Sequence, residues 1–274
     1  MKPPLSYMGG KYHLTDTLLN LIPEHNTYVE VFGGAGHVIL QKKPVEINIY
    51  NDINTDLVTF FKVLQDKDKA LQLLNLIDIT PYSRQYFNEI RDNLYIPPNL
   101  DADILKAYKL ILYMQQAFAS KFINIKPTWS YTIQKHNLAD EWHRLPAKLY
   151  PFIDILKNIL IENKDFRDLI QTYDYENCLF YCDPPYYDRE FYYEGSFSEQ
   201  DHIDLANILN NVKGKVLLSY YFFDKIEELY PINKWRYETK QCRISAKLTK
   251  DTQQIKSIEY ILMNYSLTDK YLFR

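Results

Sequence analysis

Two hydrophobic periods divide the chain. Leu14, Leu18, Leu19 and Ile22 recur three to four residues apart, the spacing of one helix face. Tyr28-Val29-Glu30-Val31-Phe32 and Ile47-Asn48-Ile49-Tyr50 are instead short apolar runs of strand length. Between them, Gly33-Gly34-Ala35-Gly36 predicts a tight turn, and His37 to Gln41 is expected to open a helix. Asn51-Asp52 closes the second strand, and Asn54 is placed to cap a helix over Asp56 to Leu64. Strand, glycine turn, helix, strand and acid, in that order, open a doubly wound α/β sheet. From Lys67 to about Lys148 helical spacing takes over, at Ala70 to Ile77, Ser83 to Asn93 and Asp103 to Ala119, with an aromatic and basic stretch from Phe118 to Tyr131. Strand and helix then alternate again over Ile159 to Glu162, Phe166 to Gln171, Cys178 to Cys182, Glu199 to Leu209, Lys215 to Ser219 and Phe223 to Leu229. Trp235 to Lys240 and Ser257 to Tyr265 read as an antiparallel end. The predicted fold is α/β: residues 1–66 and 149–274 form a doubly wound domain, interrupted over 67–148 by a mostly helical lobe.

Composition narrows the class. With 274 residues, 46% of them hydrophobic, the chain buries a sizeable core and most of it is not disordered. Its densest apolar stretch, Val216 to Phe223, is far short of the roughly 18 residues that a membrane span needs. No apolar signal core follows Met1-Lys2-Pro3-Pro4. Cys178, Cys182 and Cys242 suit a reducing cytoplasm and lack metal-ligand spacing. The net charge is −3, yet the segments from Leu105 to Tyr150 and from Lys234 to Lys256 each carry a local +5. Two basic segments on a mildly acidic body can hold a polyanion on one face. Glycine is scarce, and five of the seven lie within the first 36 residues, which points to close backbone approach to a ligand there.

The sharpest chemistry lies at Leu179-Phe180-Tyr181-Cys182-Asp183-Pro184-Pro185-Tyr186. A hydrophobic strand delivers an acid at its C-terminal end, where α/β sheets bind ligands. Two prolines stiffen the backbone and offer carbonyls without amide donors. The Asp183 carboxylate and the Pro184 carbonyl can each accept one hydrogen of a planar amino group, which turns the nitrogen lone pair out of conjugation. Tyr186 offers a π-face for the ring that bears the amine. No covalent intermediate is required, and Cys182 is read as a buried small hydrophobe. Gly34-Ala35-Gly36 starts a dinucleotide fingerprint, but Ile39 stands at its third glycine.

Asp-Pro-Pro-Tyr resembles the signature of the Dam-type, amino-group DNA adenine methyltransferases. Tyr7-Met8-Gly9-Gly10-Lys11 is similar to that family's N-terminal cofactor motif. Val29-Glu30-Val31-Phe32-Gly33-Gly34-Ala35-Gly36 resembles its main cofactor motif, and Asn51-Asp52-Ile53-Asn54 its acidic turn. Lys164-Asp165-Phe166 resembles its Gly-Asp-Phe motif, with Lys164 in place of the glycine. The resemblance implies the Rossmann-like fold of S-adenosyl-L-methionine-dependent methyltransferases, that cofactor, and methylation of adenine N6. It further implies that Tyr7, Gly10 and Lys11 contact the cofactor and that Glu30, Phe32, Gly33, Ala35 and Gly36 line its methionine end. Asp52 would take the ribose hydroxyls, with Ile53 beside it as a further cofactor contact, Asp165 and Phe166 would take the cofactor's adenine, and Asp183 would face both cofactor and target amine.

Double-stranded DNA is the expected partner, with the target base flipped from the stack. The 67–148 lobe is expected to recognise it. The family's recognition hairpin commonly contains Asn-Gly; the matching stretch here, Ala117 to Tyr131, does not, so a GATC target is not implied. Lys121, Lys126 and Trp129 are candidate DNA contacts, two cations and one aromatic able to stack or wedge, as are Arg243 and Lys247. His202 is expected on a helix surface, with ordering of the loop Tyr187 to Phe197 as the alternative. Methylation of RNA adenine or cytosine N4, or nucleic-acid binding without catalysis, are the competing readings. A cytoplasmic monomer is expected, without an obligate protein partner or a metal, and with a restriction endonuclease as a possible counterpart.

Overall fold

The computed structural model describes residues 14–118, 127–131, 137–187, 197–243 and 256–267. Helix α1 spans Thr15–Leu21, followed by strands β1 (Thr27–Glu30) and β2 (Ile47–Asn51). Helices α2 (Thr55–Gln65), α3 (Lys67–Ile79), α4 (Arg84–Arg91) and α5 (Ala102–Gln116) come next, then short strands β3 (Ala117–Phe118) and β4 (Thr128–Trp129). Helices α6 (Leu138–His143) and α7 (Leu145–Leu156) lead to β5 (Ile159–Glu162), α8 (Phe166–Tyr173), β6 (Cys178–Cys182) and α9 (Glu199–Leu209). Strand β7 (Lys215–Tyr221), α10 (Ile226–Leu229), β8 (Arg236–Arg243) and β9 (Lys256–Met263) complete the order.

Seven strands form one mixed sheet in the order β5-β2-β1-β6-β7-β9-β8. The first five are parallel, and β9 runs antiparallel between β7 and β8. The chain winds outward from β1 to β2 and then β5 on one side, and from β6 to β7 on the other. The reversal lies between β1 and β6, whose residues Thr27–Glu30 and Cys178–Tyr181 pair in register. A crevice outside the C-terminal ends of the strands is expected at such a reversal. All five residues of β6 are buried, as a central parallel strand covered on both faces requires.

Side-chain alternation separates two cores. Tyr28, Tyr50, Tyr181, Leu217 and Ile261 face α2, α3, α5 and α7, while Val29, Phe180, Val216 and Leu218 face α8, α9 and α10. The helices of 67–148 share the first core with α2, α7 and the sheet. Buried Trp142 of α6 donates its indole N–H to the Thr80 carbonyl at 2.8 Å, closing the C-terminal end of α3. The expected boundary at 148–149 falls inside α7.

Three segments depart from the sequence reading. His37 to Gln41 forms turns rather than a helix: Leu40 N–H bonds the Gly36 carbonyl but Gln41 and Lys42 N–H both take the Val38 carbonyl, so no continuous ladder builds, and the Ile39 N–H bonds the Glu30 carboxylate at 2.6 Å. Helix α5 stops at Gln116 rather than Ala119, since Ala117 turns extended and pairs with Trp129 while Ser130 N–H takes the Gln116 carbonyl. Among the described residues, the two ends of the expected recognition stretch thus pair antiparallel, Ala117 with Trp129 and Phe118 with Thr128; residues 119–126 lie outside them. Helix α6 has only six residues, too short for an apolar period to show, and α7 carries two residues that look like breakers, Pro146 and Pro151. Pro146 sits in the first turn, where no amide donor is needed, and Pro151 lies within α7.

Candidate active site

Two turns meet at the sheet's reversal, one after β1 and one after β6. The first is stitched to the end of β2. Gly33 N–H bonds the Asn51 carbonyl at 2.7 Å, Gly34 N–H bonds Asp52 Oδ2 at 2.7 Å, and the Tyr50 hydroxyl donates to the Gly34 carbonyl at 2.7 Å. A Cβ on Gly33 would lie 2.2 Å from the Tyr50 ring, so only glycine lets that tyrosine brace the turn. Gly34 and Gly36 hold φ of 51° and 67°, in the left-handed region. Asp52 Oδ1 also accepts the Asn54 N–H at 2.8 Å, and Asn54 caps α2 as expected. Asn51 reaches across three strand ends: its Nδ2 donates to the carbonyls of Val31 and Lys164, and its Oδ1 accepts the Lys164 N–H. Asn163 donates to the carbonyls of Asp52 and Ile53. Ile53 is 52% exposed, a large apolar side chain directly after Asp52 in the chain.

Glu30 lies beneath the first turn rather than on its surface. It is buried, and its Oε2 accepts the Tyr28 hydroxyl at 2.9 Å as well as the Ile39 N–H. Burial pushes its carboxyl up to about 8. Lys42 sits nearby, 4.5 Å from the Tyr28 ring centroid and bonded to Asn48 Oδ1; burial pulls its ammonium down to about 8. Asp165 caps α8 and pairs with Arg167, which also binds Asp201 and Asp204. The guanidinium lies 4.3 Å from the Phe166 ring centroid, and that ring packs with Phe32 and Phe197.

The second turn presents Asp183, Pro184, Pro185 and Tyr186. Asp183 Oδ1 accepts hydroxyls from Ser219 and Tyr186, both at 3.1 Å. The Tyr186 hydroxyl also lies 2.9 Å from Glu259 Oε1, and its ring centroid is 4.3 Å from that of Tyr221. Cys182 is buried, which pushes its thiol well up and leaves it inert. Asp183, on a turn of two prolines, therefore stands across the reversal from a glycine turn backed by Asp52.

A family model described as D12 class N6 adenine-specific DNA methyltransferase matches residues 7–261. The chain belongs to this class. The methyltransferase is 24% identical over 280 residues to a type II methyltransferase, M.CviBI, of Paramecium bursaria Chlorella virus NC1A, covering 97% of this chain and all of that one. It is 25% identical over 252 residues to a DNA adenine methylase of Salmonella typhi, covering 84% of each. A DNA adenine methylase of Escherichia coli strain K12 is 24% identical over 223 residues, covering 74% of each. The enzyme class fixes the reaction as methyl transfer to adenine N6 in DNA, and the mixed α/β sheet agrees with it.

The structure of the methyltransferase sorts the remaining expected residues. Tyr7, Gly10, Lys11, Lys121, Lys126 and Lys247 lie outside the described residues, as do the loop aromatics Phe191, Tyr192 and Tyr193 and the side chain of Arg243. Trp129 is half-buried, and its ring contacts those of Tyr82 and Tyr131 and the Arg84 guanidinium. The exposed members of that group are Tyr131 and Arg84. His202 is not on a helix surface. It is 1% exposed, its Nδ1 lies 2.6 Å from the Tyr220 hydroxyl, and its ring touches Tyr187 and Phe197, the two ends of the loop it was weighed for. Ser219, Asn163 and Glu259 were given no role from sequence, and Asn51 only a place in the turn that closes the second strand. Ser219 and Glu259 do carry a signal, each being a lone small-polar or acidic residue in an apolar strand. No helix of the described residues is long and apolar enough to cross a membrane.

Proposed function

We propose that this enzyme moves a methyl group from S-adenosyl-L-methionine to N6 of an adenine flipped out of duplex DNA. The observation that carries the reading is Asp183 at the sheet's reversal, with Oδ1 held by two hydroxyls on a turn of two prolines. When bound, the cofactor supplies a sulfonium methyl, which passes to N6 as its C–S bond breaks to leave a thioether and one amino proton is released. Asp183 and the Pro184 carbonyl take the amino hydrogens and aim the nitrogen lone pair. Positioning of this kind supplies much of such a rate. Unstacking the base from the duplex is the cost that Tyr186 and its neighbours offset.

The residues present fit that cofactor. Asp52 holds the Gly34 and Asn54 N–H groups, which fixes a carboxylate at the end of β2, where a ribose hydroxyl would find a charged acceptor. Exposed Ile53 offers an apolar surface for a nucleoside, and Asp165 with Phe166 stands at the end of the adjacent β5. Glu30 contributes by holding the turn that receives the methionine end. The 67–148 segment is the proposed DNA reader, with Lys121, Lys126, Arg243 and Lys247 as phosphate contacts. Tyr131 and Arg84 are added to it, since they are the exposed members of the Trp129 cluster. The names of the relatives as type II methyltransferases support a restriction endonuclease as counterpart.

Single-molecule modification sequencing of DNA from a methylation-deficient host tests the reading, with Asp183→Ala as control. N6-methyladenine in a fixed sequence context is expected with the wild type alone. Equal marks with the Asp183→Ala control would overturn the role of Asp183. Marks on RNA or on cytosine N4 alone would overturn the substrate.

A further inference from the structure

Strand β9 carries one acid among apolar neighbours: Glu259, flanked by Ile258, Tyr260, Ile261 and Leu262. It is 2% exposed. Burying an acid in a strand core is costly unless a partner takes its charge or its proton. One partner belongs to the catalytic turn: the Tyr186 hydroxyl lies 2.9 Å from Glu259 Oε1. A phenol has one proton to give. Two carboxylates lie within reach of it, Glu259 at 2.9 Å and Asp183 at 3.1 Å, and Ser219 brings its own proton to the same Asp183 oxygen. Glu259 stands opposite Tyr221 in the β7–β9 ladder, and the Tyr221 ring packs on that of Tyr186. One antiparallel pair of residues thus holds Tyr186 twice, by its hydroxyl tip and by its ring.

We infer that Glu259 is a positioning residue for methyl transfer: from outside the parallel sheet, it sets the ring plane of Tyr186 and so the seat of the target base. The inference rests on the reading of Asp183 to Tyr186 as the amine site. The Asp183 oxygen stays in register because Tyr186, anchored on Glu259, cannot swing its hydroxyl away. The ring plane in turn decides how far the stacked amine lies from the acid. A misplacement of about 1 Å at such a site can cost roughly 100-fold in rate.

The test compares Glu259→Gln, Glu259→Asp and Glu259→Leu in the full chain. Gln keeps an acceptor at the same reach, Asp keeps the charge but withdraws it by one methylene, and Leu removes the acceptor. Steady-state methylation of duplex DNA is measured with tritiated S-adenosyl-L-methionine, and cofactor affinity by calorimetry. The Tyr186 signal is followed by fluorine NMR of fluorotyrosine-labelled protein, assigned with Tyr186→Phe. Gln is expected within about threefold of wild-type kcat, and Asp and Leu roughly 10- to 100-fold below it, with cofactor Kd unchanged and the Tyr186 signal shifted. On a Tyr186→Phe background the Asp and Leu losses should shrink to about threefold or less, since the shared bond is already gone. Should the Leu variant not fold, the Asp variant carries the same expectation. Full kcat and an unmoved signal in Glu259→Asp would overturn the inference, as would equal losses on both backgrounds or a loss confined to cofactor affinity. Wild-type protein that methylates no DNA, while the Tyr186 signal still responds to Glu259, would refute the functional reading and leave the geometric one standing.

Discussion

Replacing Glu30 by glutamine should raise stability near neutral pH and remove a pH dependence. The unfolded chain ionises Glu30 near its ordinary 4.5, whereas burial keeps the folded carboxyl protonated up to about 8. Across that window the folded state binds the additional proton, so stability falls as pH rises and the full loss is reached above the folded value. Each pH unit inside the window is worth about 1.4 kcal/mol. From about pH 5 to about pH 7 the wild type should therefore lose up to about 2.7 kcal/mol relative to Glu30→Gln. Gln preserves the geometry, since its Oε1 can accept the Ile39 N–H and the Tyr28 hydroxyl that Glu30 accepts now. Two neighbours titrate by burial as well. Lys42, pulled down to about 8, acts above this window, and His25, lowered from 6.5, pushes stability the other way within it. His25 is common to the two proteins and cancels in the difference, whereas Lys42 feels the Glu30 charge and does not, so the comparison is kept below the pH at which Lys42 titrates. Urea unfolding followed by circular dichroism at several pH values gives that difference directly. Parallel stability curves for the two proteins would refute the argument, because they would mean that Glu30 ionises alike in both states.

Asp183→Ala should lower kcat by at least roughly 100-fold at an unchanged thermal midpoint, since it removes an acceptor aimed at the reacting amine; a filter assay of tritium transfer checks it. Asp52→Ala should weaken cofactor binding about 10- to 100-fold by calorimetry, as it deletes charge-assisted bonds and frees the Gly34 and Asn54 donors. Tyr131→Ala should cost about 1–3 kcal/mol of DNA affinity if its ring stacks on a base, and Arg84→Ala should reduce the salt slope of binding by about one. Both are read by fluorescence anisotropy across a salt series, and unchanged affinity in both would remove this face from the DNA interface.

The parallel part of the fold was legible because its signals are local. Cys178–Cys182 and Ile159–Glu162 are apolar runs with turn residues at both ends, and both strands have the expected limits. Asn54, Ser83 and Ser198 cap helices at or within a residue of the expected starts, because a capping side chain acts on backbone two or three residues away. What stayed hidden is what depends on distant partners. Nothing near His37 reveals that Glu30, seven residues before it, will take the Ile39 amide, or that Gln41 and Lys42 will share the Val38 carbonyl and leave turns. Nothing near His202 reveals that Tyr187, Phe197, Tyr220 and Phe223 will close around it. The motif residues Asp52, Asp183 and Tyr186 were readable as types, but the hydroxyl of Ser219, which lies 36 residues from Asp183, becomes visible only when β6 and β7 pair.

Strand β9 lies between two strands made before it, β7 and β8. During synthesis, then, β8 emerges with no sheet neighbour, and β7 waits as an open edge that can pair with another chain. Only when residues 256–263 leave the ribosome can they slide into that slot and join both strands at once. Non-local pairing of this kind is slow and is the step most exposed to aggregation. The same insertion brings Glu259 against Tyr186. A nascent chain halted earlier therefore carries the cofactor-side turn with an unfinished base seat, and the capacity to mark DNA arrives with the last strand of the sheet.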